Sequence, residues 1–163
     1  MIYILDTMTQ QKGKGEKVFE GKKFSLVKPT LETPFHIDFE WWQENDREWR
    51  VHLRSLLSEE ALERFASIID GNELVDWVDP ETAEVHQVDG LQHVVITYTA
   101  QQENFLEART ALVEAIFRLL LKNANTPMTI QELGDELGRD PKQILRMLSG
   151  SRVYRGIRPL MSK

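Results

Sequence analysis

Apolar residues recur at helical spacing along most of the chain and at strand spacing in a few short runs. Phe35, Ile37, Phe39 and Trp41 alternate with His36, Asp38 and Glu40, a period of two that predicts a half-buried strand over residues 33–41. Asn45 with Glu48 three residues on reads as a capping box, opening a helix with Trp49, Leu53, Leu56 and Leu57 on one face. Ser58 caps a next helix whose stripe is Leu62, Phe65, Ile68 and Ile69, with Gly71 as its glycine stop. Two β-prone runs, 75–78 and 84–88, flank Asp79-Pro80-Glu81-Thr82-Ala83 and predict a hairpin. Asp89 then caps a helix with Leu91, Val94, Val95 and Tyr98 on one side. The β-branched run 94–97 keeps a strand open as the alternative over 91–99, but the spacing lies closer to 3.6 than to 2. From 105 to 122 the pattern is a long helix carrying Ala108, Leu112, Ala115, Ile116, Phe117, Leu119 and Leu120. Its apolar coverage is wide enough for burial between two parts of the molecule.

The last third is the most informative stretch. Thr129 with Glu132 forms another capping box, opening a helix over 130–137 that buries Ile130, Leu133 and Leu137. Gly138 follows. Asp140 fits an N-cap, Pro141 the first helical position and Gln143 the third. The second helix, 141–149, buries Ile144, Leu145 and Leu148, and Gly150 ends it. A basic segment alternating with apolar residues closes the chain.

Thr129, Glu132, Leu133, Leu137, Gly138, Ile144, Leu145 and Leu148 carry a resemblance to the winged helix-turn-helix superfamily over roughly residues 108–160. The resemblance implies a DNA-binding, transcription-regulator-like protein whose second helix enters the major groove, with two chains pairing on adjacent half-sites as a dimer. Gln143 and Arg146 would then read base edges, and Arg139, Lys142, Arg152, Arg155 and Arg158 would hold phosphates. That family usually shows a two-stranded wing, and here only one strand, 152–158, is evident; the run 127–129 is too short to read as another. Arg152, Arg155 and Arg158 interleave with Tyr154 and Ile157 around two glycines. They form either a backbone clamp or a seal against acidic groups of the same chain. Helix-turn-helix units also serve as protein–protein adaptors, which is the competing expectation.

Charge bears on that choice. The 163 residues carry a net charge of −6, but residues 1–30 sum to +3, 31–125 to −12 and 126–163 to +3. Positive charge thus sits at the ends, where phosphate contact is expected, around an acidic middle. The expected organisation is α+β and mainly helical: a basic segment 1–30, an acidic tryptophan-containing body 31–104 with small strands, and a winged-helix-like unit 105–163. Within 1–30, Ile2, Ile4, Val18, Phe19, Phe24 and Leu26 suggest a short hairpin around the lysine- and glycine-rich stretch 10–17, a loop or a basic arm.

Other chemistry is sparse. Cysteine is absent, which removes disulfides, cysteine-bound zinc and thiol catalysis and fits a reducing cytoplasm. No apolar run approaches the roughly 20 residues of a membrane span, and the first ten residues lack the marks of a signal peptide. His36, Asp38 and Glu40 would share one side of a strand, but a metal needs three or more converging ligands. No nucleophile elbow, phosphate loop or dinucleotide fingerprint occurs, so neither an enzyme nor a cofactor is expected. Strand alternation would leave at least one of Trp41 and Trp42 partly exposed, a candidate partner or dimer contact.

Overall fold

The computed structural model describes residues 28–71, 74–107 and 110–160. The hairpin and basic loop expected near the N-terminus lie outside these residues. The architecture is mixed α+β, with short helices around two small antiparallel sheets.

β1 (Pro34–Ile37) is shorter than the alternation predicts, because Asp38 ends it. The Asp38 carboxylate accepts the Trp41 backbone N–H at 3.0 Å and starts helix α1 (Phe39–Asn45). Residues beyond 38 therefore follow helical spacing, and Phe39 and Trp42 turn inward together. Trp41 keeps the partial exposure expected of one of the pair, although helical spacing and not strand alternation sets it. Trp42 is only 1% exposed and sits among Phe39, Trp49, His52 and Phe117, with ring centroids 5.5–6.2 Å away. Asn45 ends α1 instead of opening the next helix. Asp46 holds the turn before the next helix, accepting from the Glu48 N–H at 2.9 Å and the Trp42 indole N–H at 3.0 Å, and that helix starts from Glu48 without a side-chain cap.

Helix α2 (Trp49–Arg54) buries Leu53, and Leu57 follows it into the core. Ser58 caps α3 (Glu59–Arg64), as the sequence predicts. The single helix expected to reach Gly71 is broken at Phe65 into α3 and α4 (Ala66–Asp70). The break sets the Phe65 ring edge-on to Tyr98 at 5.0 Å, with the Arg64 guanidinium over both. Gly71 has φ −80°, so it is not a left-handed stop.

β2 (Leu74–Val78) and β3 (Val85–Asp89) form the expected hairpin, its turn held by Asp79 Oδ1 accepting from the Glu81 and Thr82 N–H groups. Asp89 caps α5 (Gly90–Thr97), so the ambiguous 91–99 stretch begins as helix. Val94, Val95 and Ile96 are buried there, and burial outweighs their β preference. Helix α6 (Leu112–Lys122) omits the first part of the long helix the sequence predicts. Phe105 is instead buried from a loop, its carbonyl accepting from Arg118 at 3.0 Å and its ring under that guanidinium.

The larger sheet joins distant parts of the chain. β4 (Met128–Thr129) and β5 (Ile157–Pro159) flank β1 in the order β4-β1-β5, antiparallel throughout. β1, from the segment 31–104 read as the acidic body, is the central strand between two C-terminal ones. Asn125, left-handed at φ 59°, fixes it there: its side-chain amide donates to the Ile37 carbonyl and accepts from the Ile37 N–H, both at 2.8 Å. One continuous core results, running from Phe35, Ile37 and Trp42 through Phe117 to Leu133 and Ile144.

Candidate nucleic-acid interface

Helices α7 (Ile130–Leu137) and α8 (Pro141–Leu148) are built as their capping residues dictate. The Thr129 hydroxyl accepts the Glu132 N–H at 3.1 Å, and the Glu132 carboxylate accepts the Thr129 N–H at 2.8 Å. Gly138 ends α7 in the left-handed region at φ 63°. The Asp140 carboxylate accepts the Lys142 N–H at 3.0 Å, with Pro141 opening α8.

Sequence reasoning did not single out Gly134, in the middle of α7. A Cβ there would lie 2.7 Å from Pro141 Cγ and 2.9 Å from the Arg139 carbonyl oxygen. The glycine lets the start of α8 press onto α7. A glycine inside an otherwise sound helical pattern was the available signal.

Ile144 and Leu148 anchor α8, and Lys142, Gln143 and Arg146 are exposed. Their spacings of three and four place them on one face. Arg152, after the helix, is also exposed, its guanidinium 4.9 Å from the Tyr154 ring. None of these cations forms an ion pair among the described residues.

The remaining expected phosphate contacts are placed differently. Arg139 is half-buried and reaches the Thr110 carbonyl at 3.5 Å. Arg155 pairs with Glu114 of α6 and lies over the Phe117 ring. Arg158 pairs with Asp38 at 2.8 Å and lies over Trp41, which is half-buried beneath it. Of the three arginines with two sequence readings, 155 and 158 therefore seal the chain, and 152 has no ion-pair partner among the described residues. Trp42 is too deeply buried to meet a partner.

The seal depends on a tight turn. Tyr154 bridges Ile157 across Arg155 and Gly156, both at positive φ (51° and 75°), and the Ile157 N–H donates to the Tyr154 carbonyl at 2.8 Å. This is the two-residue hairpin turn that normally selects Asn-Gly. Arg155 occupies the left-handed position while paired with Glu114. Gly156 is needed twice over, since a Cβ would also lie 2.9 Å from Trp42 Cβ.

Electrostatics reinforce the seal. Burial raises the Glu114 pKa, but hydrogen bonds and charge from Arg118 and Arg155 outweigh it, and the net shift is downward. Burial pushes the His52 imidazole down, helped by Arg155 and opposed by Glu114 and Asp46. Burial likewise lowers His36, which sits on β1 opposite Arg158.

α7 exposes Glu132, Asp135 and Glu136, which with Met128 line an open acidic hollow. His36 and Asp38 do not gather into a ligand set with Glu40, because Asp38 caps α1. Among the described residues no three His, Asp or Glu side chains converge at metal-binding distance, and no helix is long and apolar enough to cross a membrane. Comparison with protein-family models, curated proteins and solved structures finds no match.

Proposed function

We propose that the C-terminal unit is a winged-helix-like module that contacts double-stranded DNA through one face of α8. Lys142 and Arg146 supply charge, Gln143 and Arg146 reach base edges, and Arg152 adds a phosphate contact. The observation that carries this reading is the exposed Lys142-Gln143-Arg146 face on the second helix of a well-capped helix pair, whose cations form no ion pair among the described residues. The antiparallel partner of β5, which the C-terminal sequence lacked, is β1. With β4 on the other edge of β1, the sheet has three strands from distant parts of the chain, and the pair β1–β5 stands in place of the wing in this reading. In this reading the wing does not clamp DNA, because Arg155 and Arg158 are engaged internally. The footprint is small: three cations per chain.

That footprint sets the test. For fluorescence anisotropy on a duplex across a salt series, the two phosphate contacts of Lys142 and Arg152 predict a slope of about −2 in log affinity against log salt. Replacing Lys142 and Arg146 together by alanine brings it to about −1. Replacing Arg158 leaves it unchanged. Absence of binding at low salt sinks the proposal. One observation favours the adaptor alternative: the exposed acidic face of α7 repels phosphate and suits a basic protein partner.

A further inference from the structure

The hairpin β2–β3 does not close completely onto α5. Between them lies a cavity of about 120 Å³, walled by Trp77, His86, Val88, Gln92, His93 and Ile96, with Asn125 reaching it from beyond α6. The register explains the gathering. Trp77 pairs with His86 across the hairpin, and Val88 shares their face. Their rings are 6.4 Å apart and inclined at 32°. Gln92, His93 and Ile96 share a side of α5 by their spacing of three and four.

The lining is selective. Trp77, Val88 and Ile96 offer apolar and aromatic surface, Gln92 a carboxamide, and the two histidines imidazoles. Among the described residues no carboxylate lines the cavity. His93 Nδ1 is closed off from solvent without a hydrogen-bond partner among the described residues. The surrounding segment 31–125 carries a net charge of −12, which disfavours an anionic guest. An apolar cavity of roughly 150 Å³ holds a benzene ring. The smaller volume here suits a single ring and excludes fused rings or a nucleotide. The indole face favours offset or edge-on contact with such a ring.

We propose that this cavity binds a small, neutral, single-ring aromatic compound with a hydrogen-bonding substituent. The ring packs on Trp77 and the substituent meets the Gln92 amide. The proposal goes beyond the DNA reading and does not depend on it.

Phenol serves as the probe, titrated into the ¹⁵N-labelled full chain and followed by NMR, with toluene and benzoate as parallel arms. Phenol is expected to give saturable shifts concentrated at the Trp77 indole N–H and the amides of Val88, Gln92, His93 and Ile96. Toluene, lacking the hydroxyl, should bind about fivefold more weakly, the worth of one hydrogen bond. Benzoate should bind more weakly than either. Gln92→Leu should erase the preference for phenol over toluene, and Trp77→Leu should abolish both. Should Trp77→Leu loosen the hairpin, the Gln92→Leu ratio decides alone. Non-saturating shifts, shifts centred on the exposed Val78 and Val85, an unchanged ratio in Gln92→Leu, or benzoate binding as tightly as phenol would overturn the assignment.

Discussion

Arg155 shows how one side chain can hold a backbone geometry that its own residue type disfavours. A left-handed conformation costs a non-glycine residue about 1–2 kcal/mol. At φ 51°, Arg155 is offset by its pairing with Glu114 and its place over Phe117. The two contributions can be separated. Arg155→Ala keeps the unfavourable φ and loses the pair, whereas Arg155→Gly loses the pair and relieves the backbone. Chemical denaturation should therefore find Arg155→Gly more stable than Arg155→Ala by about 1 kcal/mol. Equal stabilities would mean the turn relaxes once the arginine is gone. Nothing local in the sequence told Arg155 from Arg152. Both are arginines within two residues of Tyr154, and the difference is the distant Glu114.

At the scale of elements, the legible features were those set by near neighbours in sequence. Ser58, Asp89, Thr129 with Glu132, and Asp140 each cap the helix their position announces, because a cap needs only a side-chain oxygen and N–H groups two or three residues on. The Asp79 turn and its flanking strands were readable for the same reason. Asp38 was misread because its neighbours continue an alternating pattern that its capping bond interrupts. The break at Phe65 and the late start of α6 follow from Tyr98 and Arg118, partners that no local window contains. The pairing of β1 with β4 and β5 was equally out of reach, since its lock is an asparagine 88 residues away. Gly134 was visible but unexplained. Its role gives an element-scale expectation that reverses helix propensity. Alanine favours an isolated helix over glycine by about 1 kcal/mol. Yet Gly134→Ala should lower stability, because its methyl meets Pro141 and the Arg139 carbonyl. It should also displace α8 and weaken any DNA contact. A thermal melt showing Gly134→Ala at or above the parent Tm would remove the close approach as the reason for this glycine.

At the scale of the whole molecule, the seam between the N-terminal helices and the C-terminal unit is where charge, aromatic packing and titration meet. His52 packs edge-on to Trp42 and Phe117, with Arg155, Glu114, Asp46 and Arg118 in its field. Its Nε2 is buried without a partner among the described residues. Burial depresses both His52 and His36 below the ordinary imidazole value of about 6.5. The folded chain thus binds fewer protons at these sites than the unfolded chain. Stability is full above the ordinary value and is lost as pH falls through 6.5 toward the folded-state values. Glu114 extends the loss at lower pH, since its depressed carboxyl stabilises the fold only while ionised. Urea midpoints should therefore decline from pH 8 to pH 5 and fall further as pH drops below about 4.5. His52→Phe keeps an aromatic ring against Trp42 and Phe117 but has nothing to protonate. It should flatten the decline between pH 7 and pH 5 while retaining the drop at lower pH, and His36 should account for the slope that remains. An unchanged slope between pH 7 and pH 5 in His52→Phe would show that protonation of this seam does not govern the acid sensitivity of the fold.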